Sequence, residues 1–185
     1  EFKHAAVKVL KAEMPWTLLG IAWLPDDVAL QAREALKDLM GKFAFASCTP
    51  FGRERSGLLF RAAAYEAPDD ALLASIEQWL GLGGTDVLRY ADKKRGQRRA
   101  LQLRPADGTV PNSGIGDKGE TRLNAFLLAG DTSAQNWIKT LLQDELPAQT
   151  YGRMLLVPGA KPPVAVQSRG KQVCTCFNVT DADIS

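Results

Sequence analysis

Cys174 and Cys176 stand one residue apart in "VCTCFNVTDADIS", the last stretch of a 185-residue chain that has three cysteines in all. Thiols so close together do not join easily in an unstrained disulfide, but two neighbouring thiolates suit a metal. A [2Fe–2S] cluster takes four ligands, usually thiolates, and local cysteine pairs commonly supply two of them. Cys174 and Cys176 are therefore the candidate metal ligands, and they amount to half a set. Cys48 stands alone in an apolar stretch and reads as a core residue. Behind the pair, Thr180 is a suitable helix N-cap and Asp183 stands where a capping box would place it, so a helix start would aim N–H groups toward an anionic cluster. The plainer alternative is two small apolar side chains near a terminus.

The elements that must carry this tail are legible in outline. "WTLLGIAWL" (16–24) is an apolar run of strand length. "PDD" then opens a helix with Asp26 as N-cap, an inward stripe of Val28, Ala32, Ala35, Leu36, Leu39 and Met40, and Gly41 as the stop. "KFAFASC" and "GLLFRAAAY" read as paired strands around the loop "TPFGRERS". A second "PDD" (68–70) opens another helix, with Leu72, Leu73, Ile76, Trp79 and Leu80 inward, and "TDVLRY" follows as a strand. The repeat predicts an α+β fold: a ferredoxin-like βαββαβ domain over 13–91. A small β-rich domain with one helix is expected over 92–160, built from a hairpin turning at Arg95-Gly96, the strand "RLNAFLLAGD", the helix "DTSAQNWIKTLLQDEL" with Ala134, Trp137, Ile138, Leu141 and Leu142 inward, and a short strand in "GRMLLVPGA". "PADGTVPNSGIGDKGE" (105–120), rich in Gly, Pro, Asn and Asp, reads as an exposed, mobile loop, and 161–185 as a proline-bearing linker with an extended tail.

Other chemistry is thinner. "RYADKKRGQRRALQLR" gathers Arg89, Lys93, Lys94, Arg95, Arg98, Arg99 and Arg104. Of these, Lys93, Lys94, Arg95, Arg98 and Arg99 are the candidate partner-binding residues, able to steer an acidic electron donor. A solvated hairpin explains them as well. "FGRERSG" could touch an anion or simply connect two strands. In "AGDTS" (129–133) one glycine makes no phosphate loop, and Asp131 or Thr132 reads as a helix cap. His4, the sole histidine, has no partner at ligand spacing, so general acid–base catalysis has no candidate.

A net charge of +2 gives nucleic acid no support, and no apolar run reaches the roughly 20 residues of a membrane span. With no signal-peptide layout, a cytoplasmic protein is expected. The opening "EFKHAAVKV" reads as the middle of a folded segment, so a longer parent chain is expected at both ends.

"VCTCFNVTDADI" resembles the opening of the bacterioferritin-associated-ferredoxin-like [2Fe–2S] domain, in which a CxC is followed some tens of residues later by a CxxC. "EFKHAAVKV" is similar to the last strand of a molybdopterin-dinucleotide-binding domain. "LRYADKKRGQRRALQL", "FLLAGDTSAQNWIKTLLQ" and "YGRMLLVPGA" resemble the segment between that barrel and the cluster domain in the bacterial assimilatory nitrate reductases, molybdopterin oxidoreductases that reduce nitrate to nitrite. The resemblance implies that 1–12 ends the pterin-binding domain, with Lys3 and His4 at its end, and that 161–185 begins the [2Fe–2S] domain, with Cys174 and Cys176 as two of its ligands. It implies a parent enzyme holding molybdenum on two molybdopterin guanine dinucleotides and a [4Fe–4S] cluster, and taking electrons from a ferredoxin, a flavodoxin or an NADH-dependent flavoprotein subunit. None of these cofactors is expected on this piece alone, which should be inactive. A non-redox docking module and the matching region of a flavin-dependent nitrite reductase are the alternatives.

Overall fold

The structure is a computed structural model that describes residues 14–106 and 120–162, together with the backbone of 172–174 and 179–180. Its framework follows from one strand. β1 (Trp16–Trp23) is apolar at nearly every position, so both of its faces need cover. On the first face Trp16, Leu18 and Ala22 meet Ala29, Ala32 and Leu36 of α1 (Asp26–Met40) and Leu73 and Ile76 of α2 (Asp70–Trp79). On the second face Leu19, Ile21 and Trp23 meet Trp137, Ile138, Leu141 and Leu142 of α3 (Gln135–Gln143) and Leu155 of the 3₁₀ segment Gln149–Leu156. The result is a sheet between two helical layers.

The sheet is six-stranded and antiparallel. β2 (Phe45–Phe51) and β3 (Gly57–Ala64) form one arm, and β4 (Val87–Asp92), β5 (Gln97–Pro105) and β6 (Thr121–Ala129) the other, in the order β2-β3-β1-β6-β5-β4. The α+β class is as expected, whereas the ferredoxin-like strand order is not what forms. In that order the fourth strand would lie beside β1. Here β6 takes the place, and β4 goes to the far edge beyond β5. The side chains give the reason. β6 is buried from Leu123 to Ala129 and suits a slot covered on both faces, while β4 buries only Val87 and leaves Leu88 exposed, as an edge strand tolerates. The boundary expected at residue 91 falls inside β4, and strands from both sides of it share the sheet.

Several local expectations are met and others corrected. Asp69 caps α2, its carboxylate accepting from the Leu72 amide at 2.7 Å. Asp26 is not the cap of α1; it is the first helical residue, behind Pro25. On α2 the inward set includes Glu77 in place of Trp79, which is 38% exposed. Val28 of α1 is also exposed. The inward set of α3 is as read, but neither Asp131 nor Thr132 caps that helix; the N-cap position is Ala134. "GRMLL" is helical in 3₁₀ turns, kinked at Gly152, and not a strand. Of the loop expected over 105–120, Pro105 ends β5 and 107–119 lie outside the described residues.

Gly130 closes β6 with φ +79°, and a Cβ there would overlap the carbonyl oxygen of Gly96, which already accepts the Trp16 indole at 2.9 Å. Both the left-handed backbone and the close approach demand glycine. Gly130→Ala should therefore cost about 2–4 kcal/mol. Urea unfolding measures it, and a loss under about 0.5 kcal/mol would show that the β4–β5 turn moves aside freely.

Candidate functional site

The described residues form a groove of about 580 Å³ at the end of the sheet where α1 begins. It is built on an irregularity. β5 and β6 pair Gln102 with Ala125 and then Leu103 with Leu123, so Asn124 has no partner in the ladder. Such a bulge turns a side chain out of the regular alternation. Asn124 and Gln102 are both at least nine-tenths buried, and polar groups so placed require partners. They find each other: Asn124 Nδ2 donates to Gln102 Oε1 at 2.9 Å, and Gln102 Nε2 donates to Asp86 Oδ2 at 2.9 Å. Arg55, from the loop before β3, donates through Nη2 to Asn124 Oδ1 at 2.9 Å, while Arg104 Nε approaches Gln102 Oε1 at 3.4 Å.

Arg55 lies over the Trp23 ring at 5.4 Å from its centroid, and its other terminal nitrogen reaches Glu145 Oε1 at 3.4 Å. The arginine-rich loop is thus more than a connector between strands, since Arg55 bridges β3, β1 and β6. Two amides in the middle of "ALQLR" and "RLNAFLLA" were the signal for this site. A polar residue inside an apolar strand run marks either an exposed face or a buried network.

The basic hairpin contains far less free charge than its sequence implies. Arg99 is 1% exposed, with Nη1 donating to the Leu155 carbonyl at 3.2 Å and Nη2 to Asp131 Oδ2 at 3.1 Å. Arg98 grips the buried Glu77 through Nε at 2.6 Å and Nη2 at 2.9 Å. Lys93 pairs with Asp70 at 2.8 Å and Arg95 with Asp92 at 3.8 Å. Arg89 donates to the Leu82 carbonyl and stands 3.7 Å from Glu77. Of the five expected partner-binding residues, Lys93, Lys94 and Arg95 face outward, and Arg98 and Arg99 serve the interior. Burial was the missing information, because charge counting treats a basic residue on either face of a strand alike.

Asp131 does a different job from helix capping. Oδ1 accepts from the Ser133 amide and Oδ2 from the Gly159 amide, both at 2.9 Å, in addition to Arg99. Trp137 Nε1 donates to the Ala160 carbonyl at 3.0 Å. The chain is therefore pinned to the second face just before the linker.

Cys174 ends β7 (Gln172–Cys174), which pairs antiparallel with β8 (Val179–Thr180), Cys174 opposite Val179. Thr180 ends β8, and Cys176 and Asp183 lie outside the described residues. The helix expected after Thr180 lies outside them too. Cys48 sits in edge strand β2, packed against the first core, and burial raises its thiol pKa, which suits a packed thiol rather than a thiolate ligand. Among the described residues no group of three or more His, Cys, Asp or Glu is placed to hold a metal, and no helix is long and apolar enough to cross a membrane. Comparison with protein-family models, curated proteins and solved structures finds no match to this chain.

Proposed function

We propose that this chain is the C-terminal region of a bacterial, cytoplasmic, molybdenum-dependent assimilatory nitrate reductase, in which it positions a [2Fe–2S] domain for electron transfer and performs no catalysis itself. The reading is carried by the CxC spacing of Cys174 and Cys176, with Cys174 at the end of β7. Cys174 closes one strand and Val179 opens the next, so four residues, Cys176 among them, connect the pair. Two residues along the chain span at most about 7 Å, a spacing at which two thiolates can serve one cluster. The pinned exit at Gly159 and Ala160 adds support, since a fixed root suits a domain whose position matters.

The residues present fit only half of the cluster. Two thiolates are offered where four are needed, and Cys48 packs in the core, so no electron-transfer step is assigned to this chain alone. A donor-docking role for the outward-facing Lys93, Lys94 and Arg95 belongs to the same reading. The donor would be a ferredoxin, a flavodoxin or an NADH-dependent flavoprotein subunit, and the molybdopterin and [4Fe–4S] centres would lie in the parent chain.

The test is anaerobic reconstitution of the complete gene product with iron and sulfide, read by visible absorption and EPR. A [2Fe–2S] signal lost on Cys174→Ser and on Cys176→Ser is expected. A signal indifferent to both substitutions, or a gene with no CxxC after Ser185, would overturn the cluster. Nitrate turnover by the 185 residues alone would overturn the non-catalytic role.

A further inference from the structure

The groove on the bulged end of the sheet is independent of the cysteine tail, and its polar groups are ordered in a way that packing alone does not require. Hydrogen bonds run in one direction, from Arg55 to Asn124, from Asn124 to Gln102, and from Gln102 to Asp86. Each amide oxygen is thereby occupied, with Gln102 Oε1 accepting twice. Among the described residues, the capacity left on this side is in donors, namely the second N–H of each amide and the terminal nitrogens of Arg104. The inner wall, formed by β5 and β6, therefore favours a carboxylate or similar acceptor.

The opposite wall has the opposite sign. Asp26 at the start of α1 and Glu54 in the loop before β3 line the same groove, and both are exposed. Across the sheet the order is β3, β1, β6, β5, so between backbones Arg104 is about two strand spacings, roughly 10 Å, from the β1 end that leads to Asp26, and about three, roughly 14 Å, from the β3 end beside Glu54, before the side chains lean in. Trp23, Leu24 and Gly81 supply apolar surface between them. Arg55 lines the groove as well; its carboxylate partner Glu145, at 3.4 Å, is shared with Arg122 at 3.0 Å.

We infer that this groove binds a small zwitterion of amino-acid type, its carboxylate on Arg104 and the Gln102–Asn124 amides and its ammonium on Asp26 and Glu54. A simple anion would meet two carboxylates on entering, and a simple cation would meet the donor wall. Only a molecule carrying both charges satisfies both walls. The volume of the groove suits one such molecule. This inference does not depend on the redox reading, because no residue in it belongs to the tail.

Isothermal titration of the 185-residue chain with glycine, L-glutamine, L-lysine and 6-aminohexanoate, with succinate and putrescine as single-sign probes, tests it. At least one zwitterion should bind saturably with a Kd at or below about 1 mM, and the single-sign probes about tenfold more weakly or worse. Arg104→Gln and the pair Asp26→Asn with Glu54→Gln should each weaken the zwitterion about tenfold or more. All three side chains are exposed, so the variants should unfold at close to the parent temperature. Three results would each overturn the inference: no saturable binding by any zwitterion, succinate or putrescine binding as tightly, or an affinity that survives either variant.

Discussion

Glu77→Ala is expected to lower stability by about 2–4 kcal/mol, near the top of what a single side chain costs in a domain this size. Glu77 is 3% exposed on the inner side of α2, and its two oxygens accept separately from Nε and Nη2 of Arg98, with Arg89 close behind. Removing the carboxylate leaves two guanidinium groups around an apolar hole. Arg98 retains some access to water, which is why the expected cost sits below that of a fully enclosed pair. Glu77→Met combined with Arg98→Met should recover most of the loss, since an apolar pair of similar volume avoids the desolvation of both charges. Urea denaturation of Glu77→Met, Arg98→Met and the double closes the cycle. If Glu77→Ala unfolds within about 0.5 kcal/mol of the parent, the pair is ornamental and α2 is held by Leu73 and Ile76 alone.

Asp131→Ala should cost about 3–5 kcal/mol, and Arg99→Met clearly less, about 1–2 kcal/mol. The asymmetry follows from burial. Without Asp131, a guanidinium that is 1% exposed keeps one carbonyl partner and an Nε that already has none. Without Arg99, the carboxylate is partly open to water and still accepts from Ser133 and Gly159. Amide exchange at Gly159 should quicken in Asp131→Ala, because its acceptor is gone. Equal losses in the two variants would refute this account.

The same carboxylate sets an acid dependence. Burial pushes the Asp131 pKa up, but hydrogen bonds from Ser133 and Gly159 and the charge of Arg99 outweigh it, and the net value lies below the ordinary one. A folded pKa below the unfolded value of about 3.9 means the contribution is complete above about pH 5 and is lost as pH falls through the lowered folded value. The parent should therefore lose stability with acid below about pH 4 more steeply than Asp131→Asn does.

Where the sequence was readable, one physical signal dominated. Trp16–Trp23 and Leu123–Ala129 are apolar enough to announce strands, the "PDD" turns announce helix starts, and the spacing in α3 placed all five inward residues correctly. Strand order was not readable, because β4 and β6 both look like acceptable neighbours of β1 until the burial of their two faces is compared. The role of the arginines was not readable either. Arg98 and Arg99 are adjacent, and alternation along β5 sends one to Glu77 on the first face and the other to Asp131 on the second. The groove was readable only in part: two amides inside apolar strand runs flag a polar network, but the bulge that leaves Asn124 unpaired depends on the partner strand and has no local signature.

The placement of β6 beside β1 also governs the order in which this molecule can assemble. Its central pairing joins Ala22 to Ala125, residues far apart in the chain, so the middle of the sheet closes late. During synthesis β1 can pair with β3 early, but its other edge waits for roughly 100 further residues, about 5–20 s at ribosomal rates. Throughout that interval an apolar strand stands with one side of its backbone unpaired. The protein carries its aggregation hazard at its centre, and only while it is being made.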